Sequence, residues 1–175
     1  MRKIDIYVST SLDGYIPDNK NTSFFYNNKF GFDKIFEKFF KNLDIIIMDR
    51  ATYDNIVNEN TPNNWPCTGK ITYVITNDYQ EDDLEDIIFY KDNVLELLNK
   101  LKEENGRDIW IEGGSDLIHQ IIDANLVDNY YISIVPLILG SGDQLFDDKS
   151  DRKISLNLIK THSHDGIITA HYAKE

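Results

Sequence analysis

Two adjacent glycines form the first segment of the sequence that could bind a ligand. Gly113 and Gly114 separate a predicted strand (108–111) from a predicted helix, and Ser115 and Asp116 follow them. Glycines let a ligand approach the backbone closely, and the free N–H groups at the start of a helix bind anions. The segment therefore predicts a cradle for a pyrophosphate. The alternative is a tight strand–helix turn capped by Ser115, because Gly-Gly turns are common.

A second strand–helix junction, DRATY at residues 49–53, offers further groups for an anion. The guanidinium of Arg50 could hold a phosphate, and the hydroxyl of Thr52 could add a donor. The alternative is structural: Asp49 is then the N-cap of the helix, and Arg50 is a solvated surface residue. Capping residues are abundant at such junctions, which favours the structural interpretation when the residues are taken alone.

Two more polar segments follow predicted strands. In the segment SLDGYI (11–16), Asp13 is either a proton donor or substrate anchor, or simply part of an Asp-Gly turn. Thr76 and Asn77 follow another strand. Because ligands in an open parallel sheet bind beyond the carboxyl ends of the strands, we expect these segments and the two junctions to share one edge.

Metal chemistry is not indicated by the sequence. The one cysteine, Cys67, can form no internal disulfide, and the four histidines lack a set of partner ligands. A zinc site needs three or four ligands. We therefore predict no metal site, and structural roles for His119, His162, His164 and His171.

Alternating strands and helices must position these segments. Apolar patterns predict strands at 2–9, 44–48, 71–76, 87–90, 108–111, 130–139, 153–162 and 166–173. The short continuous apolar run at 44–48 indicates a central strand buried on both faces. Amphipathic stripes predict helices at about 30–43, from about residue 50, from Asp92 as N-cap to Leu101, and across 117–122. Loops are predicted at 17–28 and 58–70.

This order of elements predicts βαβ units and therefore a single α/β domain over residues 1–175. The central sheet is expected to be mostly parallel and flanked by helices. Asp165-Gly166 is a hairpin signal, so the last two strands should form a C-terminal antiparallel hairpin.

The composition limits the classes of partner. The chain has 175 residues, of which 41% are hydrophobic, and a formal net charge of −12. A surface of this charge repels nucleic-acid backbones and anionic membranes, so neither is an expected partner. The sequence starts without a long apolar segment and holds no run long enough to span a membrane. We expect a cytoplasmic protein that acts on a small-molecule substrate.

Several motifs in fixed order carry a resemblance to a known family. They are SLDGYI (11–16), RATY (50–53), IWIEGG (109–114) and VPLILGSG (135–142), with Leu145-Phe146 after them. The set resembles the bacterial dihydrofolate-reductase-like proteins grouped with the C-terminal reductase domain of riboflavin biosynthesis, over essentially the whole chain. The resemblance implies a dihydrofolate-reductase-like sheet ending in a hairpin, often a homodimer, and NADPH bound across the strand ends.

The resemblance also implies a role for each matching position. By this resemblance, the pyrophosphate would be held by Gly113, Gly114, Ser115 and Asp116, and the phosphates at the second helix start would contact Arg50 and Thr52. The adenosine would lie near Thr76 and Asn77, and the nicotinamide would lie beside Gly14 and Ile16. Asp13 would face the substrate side.

Two positions depart from the family pattern. Asp49 stands where the family usually has glycine, and Glu112 stands where it usually has an apolar residue. Both changes put a carboxylate next to an expected phosphate position. We hypothesise that Asp49 caps the helix that cofactor phosphates would otherwise cap. The competing interpretation is that Glu112 points to the far side of the sheet and is harmless.

Two functions follow from these observations. The first is an NADPH-dependent reductase of a small, planar or heterocyclic substrate, with Asp13 as the proton-delivering or substrate-anchoring group. The second is a family member with a weakened or lost cofactor site, which acts as a ligand-binding or dimeric scaffold protein. Asp49 and Glu112 favour the second function, whereas Arg50, Thr52 and the paired glycines favour the first.

Overall fold

The computed structural model describes residues 1–16, 34–60, 65–78, 86–146 and 153–175. Within them, eight strands form one sheet. They are β1 (Ile4–Thr10), β2 (Leu43–Asp49), β3 (Ile71–Ile75), β4 (Ile87–Tyr90), β5 (Asp108–Ile111), β6 (Asn129–Ile134), β7 (Leu156–His164) and β8 (Ile167–Lys174). The spatial order is β4-β3-β2-β5-β1-β6-β8-β7.

The sheet is parallel from β4 to β6 and antiparallel where β8 pairs with β6 and β7. The mostly parallel sheet with a C-terminal hairpin is therefore confirmed. The turn of the hairpin is Asp165-Gly166, with φ angles of 49° and 86°. Two successive residues with positive φ are typical of the turn that joins tightly paired antiparallel strands.

Four α-helices accompany the sheet in the described part of the chain. They are α1 (Lys34–Lys41), α2 (Arg50–Asn55), α3 (Val94–Glu103) and α4 (Ser115–Asp123). A π-helical segment (Ile56–Asn60) continues α2. Within the described residues, no helix is both long enough and apolar enough to cross a membrane.

The two faces of the sheet hold separate apolar cores, because side chains alternate along each strand. On the first face, Ile45, Ile47 and Ile111 pack with residues of α3 and α4. On the second face, which we call the α1 face, Ile46 and Trp110 pack with Phe39 of α1, Tyr53 of α2 and Cys67. β2 therefore contributes to both cores, which confirms the prediction of a strand buried on both sides.

Several predicted boundaries were wrong. The strand predicted at 130–139 ends at Ile134, and residues 135–146 form a loop at the strand ends. This loop is apolar because Val135 and Leu145 are buried, not because it is a strand. The N-cap of α3 is Asn93, whose side chain accepts a hydrogen bond from the Leu95 N–H at 2.9 Å. Asp92 is therefore not the cap.

Some predicted elements lie outside the described residues. They are the loop at 17–28, the start of the first helix before residue 34, and part of the loop at 58–70. Residues 58–60 belong to the π-helical segment, which the sequence did not indicate.

Candidate functional site

Four predicted segments meet at one edge of the sheet. β3, β2, β5 and β1 are neighbours in this order and run parallel to one another. Their carboxyl ends lead into residues 76–77, 49–53, 112–116 and 11–16 respectively. The expectation of a shared edge is therefore confirmed.

The Asp49 carboxylate joins two helix starts at this edge. Its Oδ1 accepts a hydrogen bond from the backbone N–H of Thr52 at 2.7 Å, which makes Asp49 the N-cap of α2. Its Oδ2 accepts a hydrogen bond from the backbone N–H of Gly114 at 2.5 Å. Gly114 is the N-cap residue of α4 and has no side chain with which to cap it. The capping of α2 by Asp49 is confirmed, and the same carboxylate also accepts a hydrogen bond at the start of a second helix. That cofactor phosphates would otherwise occupy this position remains a prediction.

The geometry of this bridge brings two helix N-termini to one negatively charged group. Helix N-termini carry partial positive charge and unsatisfied N–H groups, and both features favour a negative group. Here two such termini face one carboxylate, which comes from the chain itself. The Asp49 carboxylate therefore accepts hydrogen bonds from backbone N–H groups in the segments that the sequence predicted to bind phosphates.

Gly113 is required by the close approach of Asp49. A Cβ atom at Gly113 would lie 2.8 Å from Asp49 Oδ2 and 2.8 Å from Leu117 Cδ2. The sequence predicted a close approach of a ligand at this position, and in the structure the approaching group is Asp49. The alternative of a turn capped by Ser115 is wrong, because Gly114 occupies the N-cap position.

Glu112 lies on the α1 face, directly after β5. Trp110 packs on that face and Ile111 on the other, so strand alternation returns Glu112 to the side of Trp110. The negative charge of Glu112 contributes to the raised pKa of Cys67, which also lies on the α1 face. Glu112 N–H donates to the Ile47 carbonyl at 2.9 Å, which holds the backbone in line with β2.

The Glu112 carboxyl group has a strongly raised pKa. It is half-buried, and the structure gives it no hydrogen bond or ion pair with any described residue. Burial raises the pKa of Glu112 to about 8, and the negative charge of Asp49 adds to the increase. The charges of Glu112 and Asp49 therefore influence each other, and whether Glu112 is harmless to a cofactor stays a prediction.

Arg50 and Thr76 are at the predicted edge, and both make local contacts. Arg50 Nε donates to Asp54 Oδ1 at 2.8 Å, and its guanidinium lies 5.7 Å from the ring centroid of Phe89. The hydroxyl of Thr76 accepts a hydrogen bond from the Asp78 N–H at 3.1 Å. Contacts of Arg50, Thr52, Thr76, Asn77, Ser115 and Asp116 with a cofactor remain predictions.

The Asp13 side chain connects the segment at residues 11–16 with the loop at residues 135–146 by hydrogen bonds. Its Oδ1 accepts hydrogen bonds from Ser11 Oγ at 2.6 Å and from the Leu139 N–H at 3.1 Å, and its Oδ2 accepts one from the Gly140 N–H at 2.7 Å. The Ser11 hydroxyl is the main cause of a pKa of about 2 for Asp13, and the Gly140 and Leu139 N–H groups also lower it. Such a carboxylate has no proton to deliver at neutral pH. The structure thus argues against Asp13 as a proton donor, whereas substrate anchoring stays a prediction.

Gly14 and Ile16 also contact the loop at residues 135–146. Gly14 has a φ of 86°, and its carbonyl accepts a hydrogen bond from the Leu145 N–H at 3.0 Å. The side chain of Ile16 is 4% exposed and packs with Ile118 and Leu145. Ile16 therefore presents mainly its backbone to a ligand, and its contact with a nicotinamide remains a prediction.

The structure adds an apolar rim that the sequence did not indicate. Leu12, Ile138 and Phe146 are 65%, 70% and 56% exposed. They lie on the two segments that Asp13 and Gly14 connect. Single apolar residues in loops carry no periodicity, so only the fold shows that these three share one end of the sheet.

The histidines have structural contacts. His119 Nε2 lies 2.9 Å from the Leu145 carbonyl oxygen, and His171 Nε2 lies 3.1 Å from Asn129 Oδ1. Among the described residues, no three His, Cys, Asp or Glu side chains are grouped so that they could hold a metal ion.

Comparison with known proteins identifies relatives along nearly the full length. The model of the RibD C-terminal domain family matches residues 2–168. YyaP of Bacillus subtilis, an uncharacterised protein, is 34% identical over 172 residues, which are 93% of this chain and 89% of YyaP. YwjB of the same organism, also uncharacterised, is 29% identical over 174 residues, which cover 99% of this chain and 98% of YwjB.

Solved structures share the fold. A Shewanella sp. PV-4 protein, provisionally assigned to riboflavin biosynthesis, superposes with a TM-score of 0.82 at 23% identity and covers 99% of both chains. Acinetobacter baumannii RibD gives a TM-score of 0.66 at 16% identity, over all of this chain and 58% of RibD. The fold is thus that of the dihydrofolate-reductase-like RibD domains, and the chain belongs to the RibD C-terminal domain family.

Proposed function

We propose that this protein is an NADPH-dependent reductase of a small, planar, heterocyclic substrate, in which Asp49 competes with the cofactor for the anion site. Family membership supports an oxidoreductase. A structural neighbour from Thermotoga maritima is described as a deaminase and 5-amino-6-(5-phosphoribosylamino)uracil reductase, with a TM-score of 0.66 at 14% identity. The single observation that carries the proposal is the Asp49 carboxylate between two helix N-termini.

The donor set fits a pyrophosphate. The N–H groups of Thr52 and Gly114 already hold an anionic oxygen each. Arg50, at the start of α2, adds a cation beside the same junction. When bound, NADPH would supply the hydride, while the chain would hold the phosphates, orient the substrate and exclude water.

The cofactor has to displace the Asp49 carboxylate from these donors. Two unit charges about 4 Å apart repel each other by about 4 kcal/mol at an effective dielectric constant near 20. About a third of that energy is enough to weaken binding roughly tenfold. We therefore expect NADPH to bind this protein more weakly than a variant in which Asp49 lacks its charge.

The test follows the backbone amides of Thr52 and Gly114 by NMR while NADPH is added. Binding of the cofactor phosphates is expected to shift both amide resonances in the wild type, where Asp49 must be displaced. In Asp49→Gly the same shifts are expected at lower NADPH concentration, because no carboxylate has to leave. If neither amide moves at millimolar NADPH in either protein, the anion site does not bind the cofactor.

That negative outcome would favour the second candidate function, a ligand-binding protein without a cofactor. The specific observation in its favour is that Asp49 already satisfies both N–H groups, so the fold is complete without a phosphate.

The proposal includes a homodimer located in the cytoplasm. β7 is the last strand of the sheet in the described part of the chain, so one of its edges is unpaired there. Leu158 and Ile159 on β7 are each 56% exposed, and Ile168 on β8 is 50% exposed. An unpaired edge with exposed apolar side chains favours association with a second copy.

A further inference from the structure

His119 connects α4 with the loop at residues 135–146. Its Nε2 lies 3.0 Å from the carbonyl oxygen of Gln144 and 2.9 Å from that of Leu145. We propose that His119 is a positioning residue that couples cofactor binding at the start of α4 to the stability of this loop. The identity of the bound group, NADPH, rests on the proposed function, whereas the coupling between the start of α4 and the loop stands without it.

The contacts of His119 are hydrogen bonds that its ring donates. Both partners are carbonyl oxygens, which only accept hydrogen bonds, so the proton lies on Nε2. Both distances are usual for an N–H···O bond, and one N–H shared between two carbonyl oxygens also occurs at helix ends. His119 therefore holds two successive peptide groups of the loop with one ring nitrogen.

The preceding residue of α4 adds an apolar contact to the same link. Ile118 is 2% exposed and forms a small cluster with Ile16 and Leu145, which are 4% and 1% exposed. Protein interiors are closely packed, so a shift of α4 displaces the residues that touch it. Ile118 and His119 therefore connect α4 to the loop by packing as well as by hydrogen bonds.

The loop is in turn bound to the segment at residues 11–16. The Leu145 N–H donates to the Gly14 carbonyl at 3.0 Å, and the Ile16 N–H donates to the Asp143 carbonyl at 2.8 Å. This segment follows β1 at the edge of the sheet where the paired glycines follow β5. A change in the loop therefore reaches a segment that borders the candidate site.

The start of α4 exchanges one partner for another when a ligand binds there. The Gly114 N–H donates to the Asp49 carboxylate, and in the proposed function a phosphate takes the place of that carboxylate. Gly114 and His119 lie on one helix, about 7–8 Å apart along its axis. Helix shifts of about 1–2 Å are typical of conformational transitions, and they are large enough to alter the hydrogen bonds of His119.

Coupling between two sites requires an element whose arrangement both sites influence. α4 meets this requirement, because its start contacts either Asp49 or a phosphate and its middle contacts the loop through His119. The coupling is reciprocal, so a ligand that holds the loop strengthens binding at the start of α4 by the same factor. A purely structural His119 would instead hold the loop equally whether or not a cofactor is bound.

The first experiment tests whether His119 holds the loop, and it needs no ligand. Hydrogen exchange of the Leu145 amide is expected to be about tenfold faster in His119→Leu, because the loop opens more often without the two hydrogen bonds. His119→Gln should restore slow exchange, because the side-chain amide of glutamine also donates N–H groups. Gln120→Ala, at an exposed neighbouring position of α4, is the matched control. Equal exchange in the wild type and His119→Leu would overturn the proposal.

The second experiment tests the coupling without a cofactor. Asp49→Gly removes the partner of the Gly114 N–H, so exchange of the Leu145 amide should become faster by about threefold or more while His119 is present. In the double variant with His119→Leu, the Asp49→Gly substitution should have no further effect on this rate. An unchanged rate in Asp49→Gly alone, or independent effects of the two substitutions, would contradict the coupling.

NADPH separates this proposal from the proposed function. Saturating NADPH should slow exchange of the Leu145 amide in the wild type and in His119→Gln but not in His119→Leu, although the Gly114 amide resonance still shifts there. Slowing of equal size in all three proteins would show that His119 does not carry the coupling. If NADPH shifts the Gly114 amide in none of them, the proposed cofactor fails, and the second experiment alone decides the coupling.

Discussion

The Asp49 carboxylate accepts a hydrogen bond from the Gly114 N–H at 2.5 Å, although the two residues are 65 positions apart in the chain. The contact exists because β2 and β5 are parallel neighbours, so the residues after them emerge side by side. One carboxylate thereby joins the starts of α2 and α4. In a family expected to hold cofactor phosphates at these helix starts, this protein carries its own anion there.

Gly113→Ala is expected to lower the free energy of unfolding by about 1–3 kcal/mol, because the added methyl group overlaps both Asp49 Oδ2 and Leu117 Cδ2. Urea unfolding measures the change. Gly114→Ala is the matched control, since its Cβ would lie 3.4 Å from Asp49 Oδ2 and should be tolerated better. In an Asp49→Gly background, part of the cost of Gly113→Ala should disappear. Full additivity would show that Asp49 does not approach Gly113.

Asp13→Asn is expected to loosen the loop at residues 135–146. One of the two carboxylate oxygens becomes an NH2 group, which cannot accept the hydrogen bond that Leu139 or Gly140 donates to it. Hydrogen exchange of these two backbone amides should become faster, while exchange in β1 stays unchanged. The contribution of Asp13 is present at neutral pH and is lost as the pH falls towards its lowered pKa of about 2. Unchanged exchange at Leu139 and Gly140 would show that Asp13 does not hold this loop.

The free energy of unfolding is expected to fall as the pH rises from about 4.5 to about 8. Burial is the largest cause that raises the pKa of Glu112 to about 8 and that of Asp5 to about 7. Between the ordinary and the raised pKa, the folded state binds more protons than the unfolded chain, so stability decreases with pH. For one proton the slope is at most about 1.4 kcal/mol per pH unit.

Urea unfolding at a series of pH values checks this dependence. Glu112→Gln should flatten the slope, most distinctly near pH 8, where Asp5 with its pKa of about 7 is mostly ionised. Glu96→Gln should leave the slope unchanged, because Glu96 is exposed. A Glu112→Gln profile parallel to that of the wild type would show that Glu112 ionises normally in the folded protein.

Leu158→Lys with Ile159→Lys is expected to dissociate a homodimer that forms along β7. Both side chains are 56% exposed on the last strand of the sheet, and charged residues on an edge strand oppose pairing with another edge. Light scattering after size-exclusion chromatography measures the mass. A wild-type mass equal to one chain at all concentrations would rule out this dimer.

Much of the fold could be predicted because its pattern is local. The continuous run Ile45–Met48 indicated a strand buried on both faces, and Asp165-Gly166 indicated the hairpin turn. The exact residue at which a helix or strand begins or ends was harder to predict from the sequence. Asn93 rather than Asp92 caps α3, and Ile134 ends a strand although apolar residues continue after it.

The parts of the site that depend on local sequence patterns could also be predicted. Capping by Asp49 follows from its place before α2, so the sequence was sufficient for it. The second hydrogen bond, to Gly114, depends on which strands are neighbours. The environment of Glu112 depends on which face α1 covers. Neither is a property of nearby residues, and only the assembled sheet determines them.

The central claim is that Asp49 competes with the pyrophosphate of NADPH, and calorimetric titration of Asp49→Asn tests it most directly. Asparagine keeps an oxygen that can cap Thr52 but removes the charge. NADPH is expected to bind Asp49→Asn about tenfold more tightly than the wild type. Asp123→Asn removes one charge at the far end of α4 and should change the affinity by less than about twofold. Equal or weaker NADPH binding by both Asp49→Asn and Asp49→Gly would contradict the account.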